Sequence, residues 1–145
     1  MEYFEDLDVG ETREHGSYVV DEAEITDFGQ QYDPQPHHTD PEAAEKSLFG
    51  GLVASGWHTS SMTMRMLVEG IFPGTAALGA VGVDELRWPN PVRPGDELHV
   101  ETEVLEKQAD YRPGVGLVLS RVETKNQDDE VKQSFVGRVL YQQRE

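Results

Sequence analysis

The chain has 145 residues, enough for one domain with a core of its own, and no shift in composition divides it. Its 28 acidic residues against 12 lysines and arginines give a formal charge of -16, which repels phosphate backbones and anionic bilayers and argues against nucleic-acid and membrane partners. With no cysteine, disulfides, thiolate catalysis and cysteine-built zinc or iron-sulfur sites are excluded.

The N-terminal stretch MEYFEDLDVG is acidic and lacks a basic start followed by an apolar run, so no signal peptide is expected. No segment reaches the roughly 20 apolar residues that cross a bilayer, and a cytoplasmic protein is expected. The acid is spread along the chain and Arg outnumbers Lys, a pattern similar to that of proteins from high-salt cytoplasm. A first strand is expected near Glu14 to Val20. Asp21 with Glu24 then reads as a capping box for a short helix through about Gln31, with Ala23, Ile25, Phe28 and Gly29 facing inward.

The stretch YDPQPHHTDPE, residues 32–42, follows. Pro34, Pro36 and Pro41 each lack a backbone donor and push the preceding residue toward extended geometry, so a rigid loop is expected, neither helix nor central strand. A brief helical turn starts at Pro41 and ends before Gly50. The longest helix begins near Ser55 and Gly56 and continues through WHTSSMTMRMLVEG to Gly70. Its apolar residues Trp57, Met62, Met64, Met66, Leu67 and Val68 cover much of the circumference, which predicts a buried helix.

The rest reads as strands. One runs from about Leu78 to Trp88 and is closed off by PNPVRPGD. In ELHVETEVL, residues 97–105, Leu98, Val100 and Thr102 alternate with Glu97, His99, Glu101 and Glu103, the pattern of a half-buried strand. After Pro113 and Gly114, GLVLSRVET is apolar on both faces, as a central strand requires, and beyond the turn NQDDE the alternation resumes in VKQSFVGRVLYQ. The expected fold class is α+β, a single domain over residues 1–145 with an antiparallel sheet of about five strands wrapped around one long helix. One helix covers one face and the sheet edges stay unpaired, so a homodimer or higher oligomer is expected.

The proline-rich stretch carries the candidate chemistry. Asp33 and His38 lie five positions apart on a stiff ledge, and a carboxylate and an imidazole that share a water can take one proton from it and deliver another to carbon. His37 is expected to point to the opposite side. Gly56 opens the long helix, where unpaired amide donors and the positive end of the helix dipole offer an oxyanion hole to a close-approaching carbonyl. The residues alone leave alternatives open: a surface turn in which Asp33 and Asp40 bond nearby amides, a metal site from Asp33, His37, His38 and Asp40, and plain close packing at Gly56. Ser60, Ser61 and Thr63 are expected to bond their own helix backbone, and His58 to cap the helix or face solvent.

The stretch Asp33-Pro34-Gln35-Pro36-His37-His38-Thr39-Asp40 resembles the signature of the MaoC-like (R)-specific enoyl-CoA hydratases of the hotdog fold. That signature has an aspartate, a variable residue, asparagine, proline, an aliphatic residue and histidine, with an acidic residue two further on. Gln35 stands in place of the asparagine, His37 in place of the aliphatic residue, and Ser55 where the family often carries histidine. The resemblance covers most of the chain and extends to WPNPVRPGDEL. It implies that Asp33 and His38 activate the water that adds to a trans-2-enoyl thioester of CoA, giving an (R)-3-hydroxyacyl thioester. It also implies that the Gly56 amide holds the thioester oxygen and that no metal or redox cofactor is used. The alternatives are a hotdog acyl-CoA thioesterase and a non-catalytic acyl-thioester binding module.

Overall fold

The computed structural model describes residues 1–145. A 3-10 turn at Phe4–Asp6 precedes β1 (Thr12–Val19), and three short helices follow, α1 (Glu22–Tyr32), α2 (Pro36–Thr39) and α3 (Pro41–Glu45). The long helix α4 (Gly56–Met66) ends in a π-helical turn at Leu67–Ile71, and then come β2 (Ala77–Arg87), β3 (Glu97–Arg112), β4 (Val115–Lys125) and β5 (Val131–Gln142). The five strands form one antiparallel sheet in the order β1-β3-β4-β5-β2. The strand with apolar groups on both faces, β4, sits at its centre, and both Leu117 and Val118 are buried. This is the α+β hotdog arrangement, a curved sheet around one principal helix.

Met62, Met66 and Leu67 pack with Ile25 of α1, Leu98 and Val100 of β3 and Val122 of β4 in the main core. Removing such side chains from water is worth ~1.5–3 kcal/mol each, which fixes α4 against the sheet. A smaller cluster joins Phe4 and Leu7 to Val104, Val118 and Tyr141. The β1–β3 register slips between His15 and Tyr18, a bulge that re-aims the side chains beyond it.

Three expectations are corrected. The long helix is not buried all round: Trp57 and Met64 of α4 and Val68 of the π-helical turn beyond it are 59%, 48% and 55% exposed, because the sheet covers only the side carrying Met62, Thr63 and Met66. The capping box is half formed: Asp21 Oδ1 accepts from the Ala23 N–H at 3.1 Å, but Glu24 turns away to other partners, and Ala23 faces solvent while Ile25 and Gly29 are buried. The proline-rich stretch is not a helix-free loop, for Pro36 and Pro41 each begin a short helix. Proline restricts the residue before it, and Gln35 and Asp40 are indeed extended, at ψ 146° and 104°, yet its own fixed φ suits the first helical position.

Candidate active site

Asp33 ends α1, its N–H donating to the Gly29 carbonyl at 2.8 Å, and His38 lies one short helix later. The two helices meet at Gly29, where a Cβ would stand 2.7 Å from the His38 carbonyl oxygen and 3.1 Å from its Cβ. Only a residue without a side chain allows this approach. It brings His38 Nε2 to 3.3 Å from Asp33 Oδ2, with the imidazole 8% exposed. The other ring nitrogen, Nδ1, lies 2.7 Å from the Val53 carbonyl oxygen. A carbonyl only accepts, so Nδ1 carries a proton and the lone pair of the neutral ring is on Nε2, facing the carboxylate.

Burial by itself raises the Asp33 pKa. Hydrogen bonds from Gln35 and Ser55, with the nearby His38 and His37, outweigh it, and the carboxyl is held below its ordinary value. The Gln35 bond, Nε2 to Oδ1, is 2.7 Å. His37 does not diverge from His38 as extended backbone would require. Within one helical turn the two rings meet edge to face, 4.1 Å between centroids. Burial first, and then the neighbouring His38, pushes the His37 pKa down, while Asp33 opposes the shift.

His38 and Gly56 share a cavity of about 330 Å³, whose wall also includes His37, Phe49, Trp88 and Lys132. Asp33 is not part of that wall and meets the cavity through His38. Gly56 is the first residue of α4, with Ser55 as N-cap accepting from the Trp57 N–H at 3.3 Å. The space beside Gly56 is filled by Trp88: a Cβ there would stand 2.5 Å from both Cδ2 and Cε2 of the indole. Close packing at this glycine is therefore with a side chain of the protein itself.

Sequence reasoning missed what holds Trp88. Its Nε1–H donates at 2.7 Å to Oε1 of Gln133, a residue with no exposed surface. The same oxygen accepts from the Ser60 hydroxyl at 2.6 Å, and Gln133 Nε2 donates to Thr63 Oγ1 at 3.2 Å. Thr63 spends its own proton on the Thr59 carbonyl, as expected of a helix hydroxyl, so the 2.7 Å contact to Thr124 is donated by Thr124. The available signal was a glutamine at an inward position of a strand.

His58 neither caps nor faces solvent. It is 3% exposed, stacks on Phe28 with centroids 4.8 Å apart, and donates from Nε2 to Glu24 Oε1 at 2.9 Å. The Tyr18 hydroxyl donates to the same oxygen. Burial, followed by the Glu24 hydrogen bond, pushes the Tyr18 pKa up to about 12. The network ties β1, α1 and α4 together and sets the position of α1, the helix that carries Asp33.

For a metal, Asp40 is already committed, Oδ1 accepting from the Glu42 and Ala43 amides at 3.0 and 3.3 Å as the cap of α3. A separate trio, Glu14, His99 and Glu101 on β1 and β3, has one ligand-type atom each within 4.8 Å of the others. Lys125 Nζ stands 2.9 Å from Glu101 and supplies positive charge there.

The model of the MaoC-like domain family matches residues 6–127. A MaoC-like dehydratase of Rhodospirillum rubrum of known structure is 45% identical, with a TM-score of 0.92 covering 100% of this chain and 99% of that one. An R-hydratase of Pseudomonas aeruginosa, solved in its unliganded form, is 26% identical with a TM-score of 0.71 over 98% of this chain and 86% of its own. An uncharacterized protein of Bacillus subtilis is 30% identical over 125 residues, 86% of this chain and 88% of its own length. Family model, relatives and fold agree, and the chain belongs to the MaoC-like domain family.

Proposed function

We propose that this chain is an (R)-specific enoyl-CoA hydratase, and in the reverse direction a 3-hydroxyacyl-CoA dehydratase, working without metal or redox cofactor. The observation that carries the reading is the His38–Asp33 pair at 3.3 Å, its imidazole in the wall of a cavity that also exposes the start of α4 at Gly56. Similarity to the R-hydratase of P. aeruginosa supports the reaction class.

In the hydration direction the attacking water sits in the cavity beside His38 Nε2, with the Asp33 carboxylate behind the imidazole. Nε2 takes a proton from it while the water oxygen forms a bond to C3 of the enoyl group. The C2–C3 π pair moves toward the thioester, whose oxygen gathers negative charge. That oxygen is held by the N–H of Gly56, which has no intrahelical acceptor at the first position of α4, together with the positive end of the helix dipole. The charge collapses when C2 takes the proton from Nε2. Hydroxyl and hydrogen have then been added, and His38 is neutral again. Asp33, held below its ordinary pKa, remains a carboxylate throughout and supports the transient imidazolium.

The reading includes a second copy of the chain. Strand β2 is exposed along nearly its whole length, and Leu78, Val81 and Val83 on β2 and Trp57, Met64 and Val68 on and just beyond α4 are exposed apolar side chains beside an unpaired sheet edge. We infer a homodimer that covers these groups, located in the cytoplasm.

The test is turnover of crotonyl-CoA in high salt, followed by loss of the conjugated enoyl-thioester absorbance and by chiral analysis of the product. Wild type should convert it to the (R)-3-hydroxy product and Asp33→Asn should not. Equal rates for the two proteins, or release of free thiol in place of hydration, would remove this assignment.

A further inference from the structure

Trp88 lies in the strap between β2 and β3, and the start of β5 holds that strap at three consecutive residues. Asn90 Nδ2 donates to the Val131 carbonyl at 2.9 Å, Lys132 Nζ donates to the Pro91 carbonyl at 2.9 Å, and Gln133 takes the indole N–H at 2.7 Å. From the other side the Ala54 N–H donates to the Val92 carbonyl at 2.9 Å, two residues before Gly56. Lys132 is itself buried and paired with Glu130, and Gln133 is fully enclosed, so neither anchor is free to swing. The indole, 41% exposed, is thus held at its Nε1 edge above an anchored backbone. It rests on the side of Gly56 where a Cβ would be, and it forms part of the wall of the cavity that contains His38.

A thioester oxygen accepting from the Gly56 amide at about 2.9 Å puts C1 and C2 of the acyl group next to that glycine, inside the cavity whose wall the indole shares. Carbon atoms further along the chain lie beyond it. We propose that Trp88 is the specificity-determining residue of the site, a wall that admits acyl thioesters unbranched at C2 and rejects those with bulk on that carbon. The proposal rests on the thioester-binding reading given above. Its discriminating step is fit beside the carbonyl and requires no further chemical group.

The experiment compares crotonyl-CoA with 2-methylcrotonyl-CoA in wild type, Trp88→Phe and Trp88→Ala, using kcat/KM. A pocket that discriminates by one methyl group separates two substrates by roughly 10–200-fold. Wild type should favour the unbranched substrate in that range, Trp88→Ala should shift the ratio toward the branched one by about tenfold or more, and Trp88→Phe should fall between. An unchanged ratio in a folded Trp88→Ala protein overturns the proposal.

A binding arm separates this inference from the hydratase reading. With Trp57→Phe, Trp88 is the one remaining tryptophan, and saturable change of its emission is expected with butyryl-CoA, weaker by about tenfold for 2-methylbutyryl-CoA. If no variant turns over but this difference is present and vanishes in calorimetric titrations of Trp88→Ala, the wall stands and the hydratase assignment falls. If butyryl-CoA binds by calorimetry and leaves Trp88 emission unchanged, Trp88 is not the wall, whatever the activity. Should Trp88→Ala fail to fold, the Trp88→Phe ratio and the emission titration decide alone, either an unshifted ratio or silent emission on binding refuting the proposal.

Discussion

The contact between Gly56 and Trp88 makes a quantitative prediction about stability. A methyl group at position 56 would stand 2.5 Å from two indole carbons and 2.8 Å from a third, against an ordinary separation of about 3.5–4.0 Å, so the ring must retreat by roughly 1 Å. A shift of that size along the 2.7 Å bond to Gln133 stretches it out of hydrogen-bond range. Either the overpacking is absorbed as strain, at ~1–3 kcal/mol, or a buried amide oxygen gives up one partner, at a similar cost. Gly56→Ala should therefore destabilise wild type by ~2 kcal/mol. In a Trp88→Ala background the methyl has open space, and alanine's better helix propensity should make the same change neutral or slightly stabilising. The assay is a four-protein cycle by thermal denaturation at equal protein concentration, since a dimer's melting depends on concentration. At about 2–4 °C per kcal/mol for a chain near this size, the first step should lower Tm by about 4–8 °C and the second by none. Equal losses in both backgrounds, additive within ~0.5 kcal/mol, would show that Trp88 does not occupy the space beside Gly56.

Four further outcomes are expected. Asp33→Asn should lower kcat by about 10²–10⁴ with little change in Tm, as measured by enoyl-thioester hydration against a melting curve. Gly29→Ala should be harmful on both counts, because its methyl meets the His38 backbone carbonyl at 2.7 Å, which has less freedom to give than a side chain; a loss of ~1–3 kcal/mol in urea denaturation together with reduced kcat is predicted. The His37 pKa is depressed from its ordinary value of 6.5, so the unfolded chain binds that proton more readily and His37 costs no stability above about pH 6.5. As pH falls through that value toward the folded pKa its penalty grows, and His37→Leu should flatten stability against pH below about pH 6.5. Val81→Lys with Val83→Lys on the exposed face of β2 should halve the mass seen by sedimentation equilibrium, and an unchanged mass would place the subunit contact elsewhere.

How much was legible in the sequence depended on how far apart the interacting residues lie. Strands read well because alternation is a property of neighbours: Leu98 and Val100 announce the buried face of β3, and the two-sided run through Leu117 and Val118 announces the central strand. The prolines were read for their effect on the residue before them, and that effect is present at Gln35 and Asp40. Their aptitude for starting a helix, credited at Pro41 and overlooked at Pro36, is what puts the two histidine rings in contact. His58, Trp88 and Gln133 were not legible at all. Their partners lie 30 to 73 positions away, so the role of His58 exists only once α1 packs on α4, and those of Trp88 and Gln133 only once β5 is in register beside α4. Gly56 lies between these cases. A glycine opening a buried helix says that something comes close, and local sequence has no means of saying what. The structure supplies the indole on one side, while the amide on its other bond remains directed to the end of the helix, where an unpaired donor is most useful to a developing negative charge. The glycine thus serves two neighbours through two different atoms, its missing Cβ for Trp88 and its N–H for the proposed oxyanion. For that reason the Gly56→Ala cycle tests the packing without touching the donor, and the loss of hydration in Asp33→Asn tests the chemistry without touching the packing.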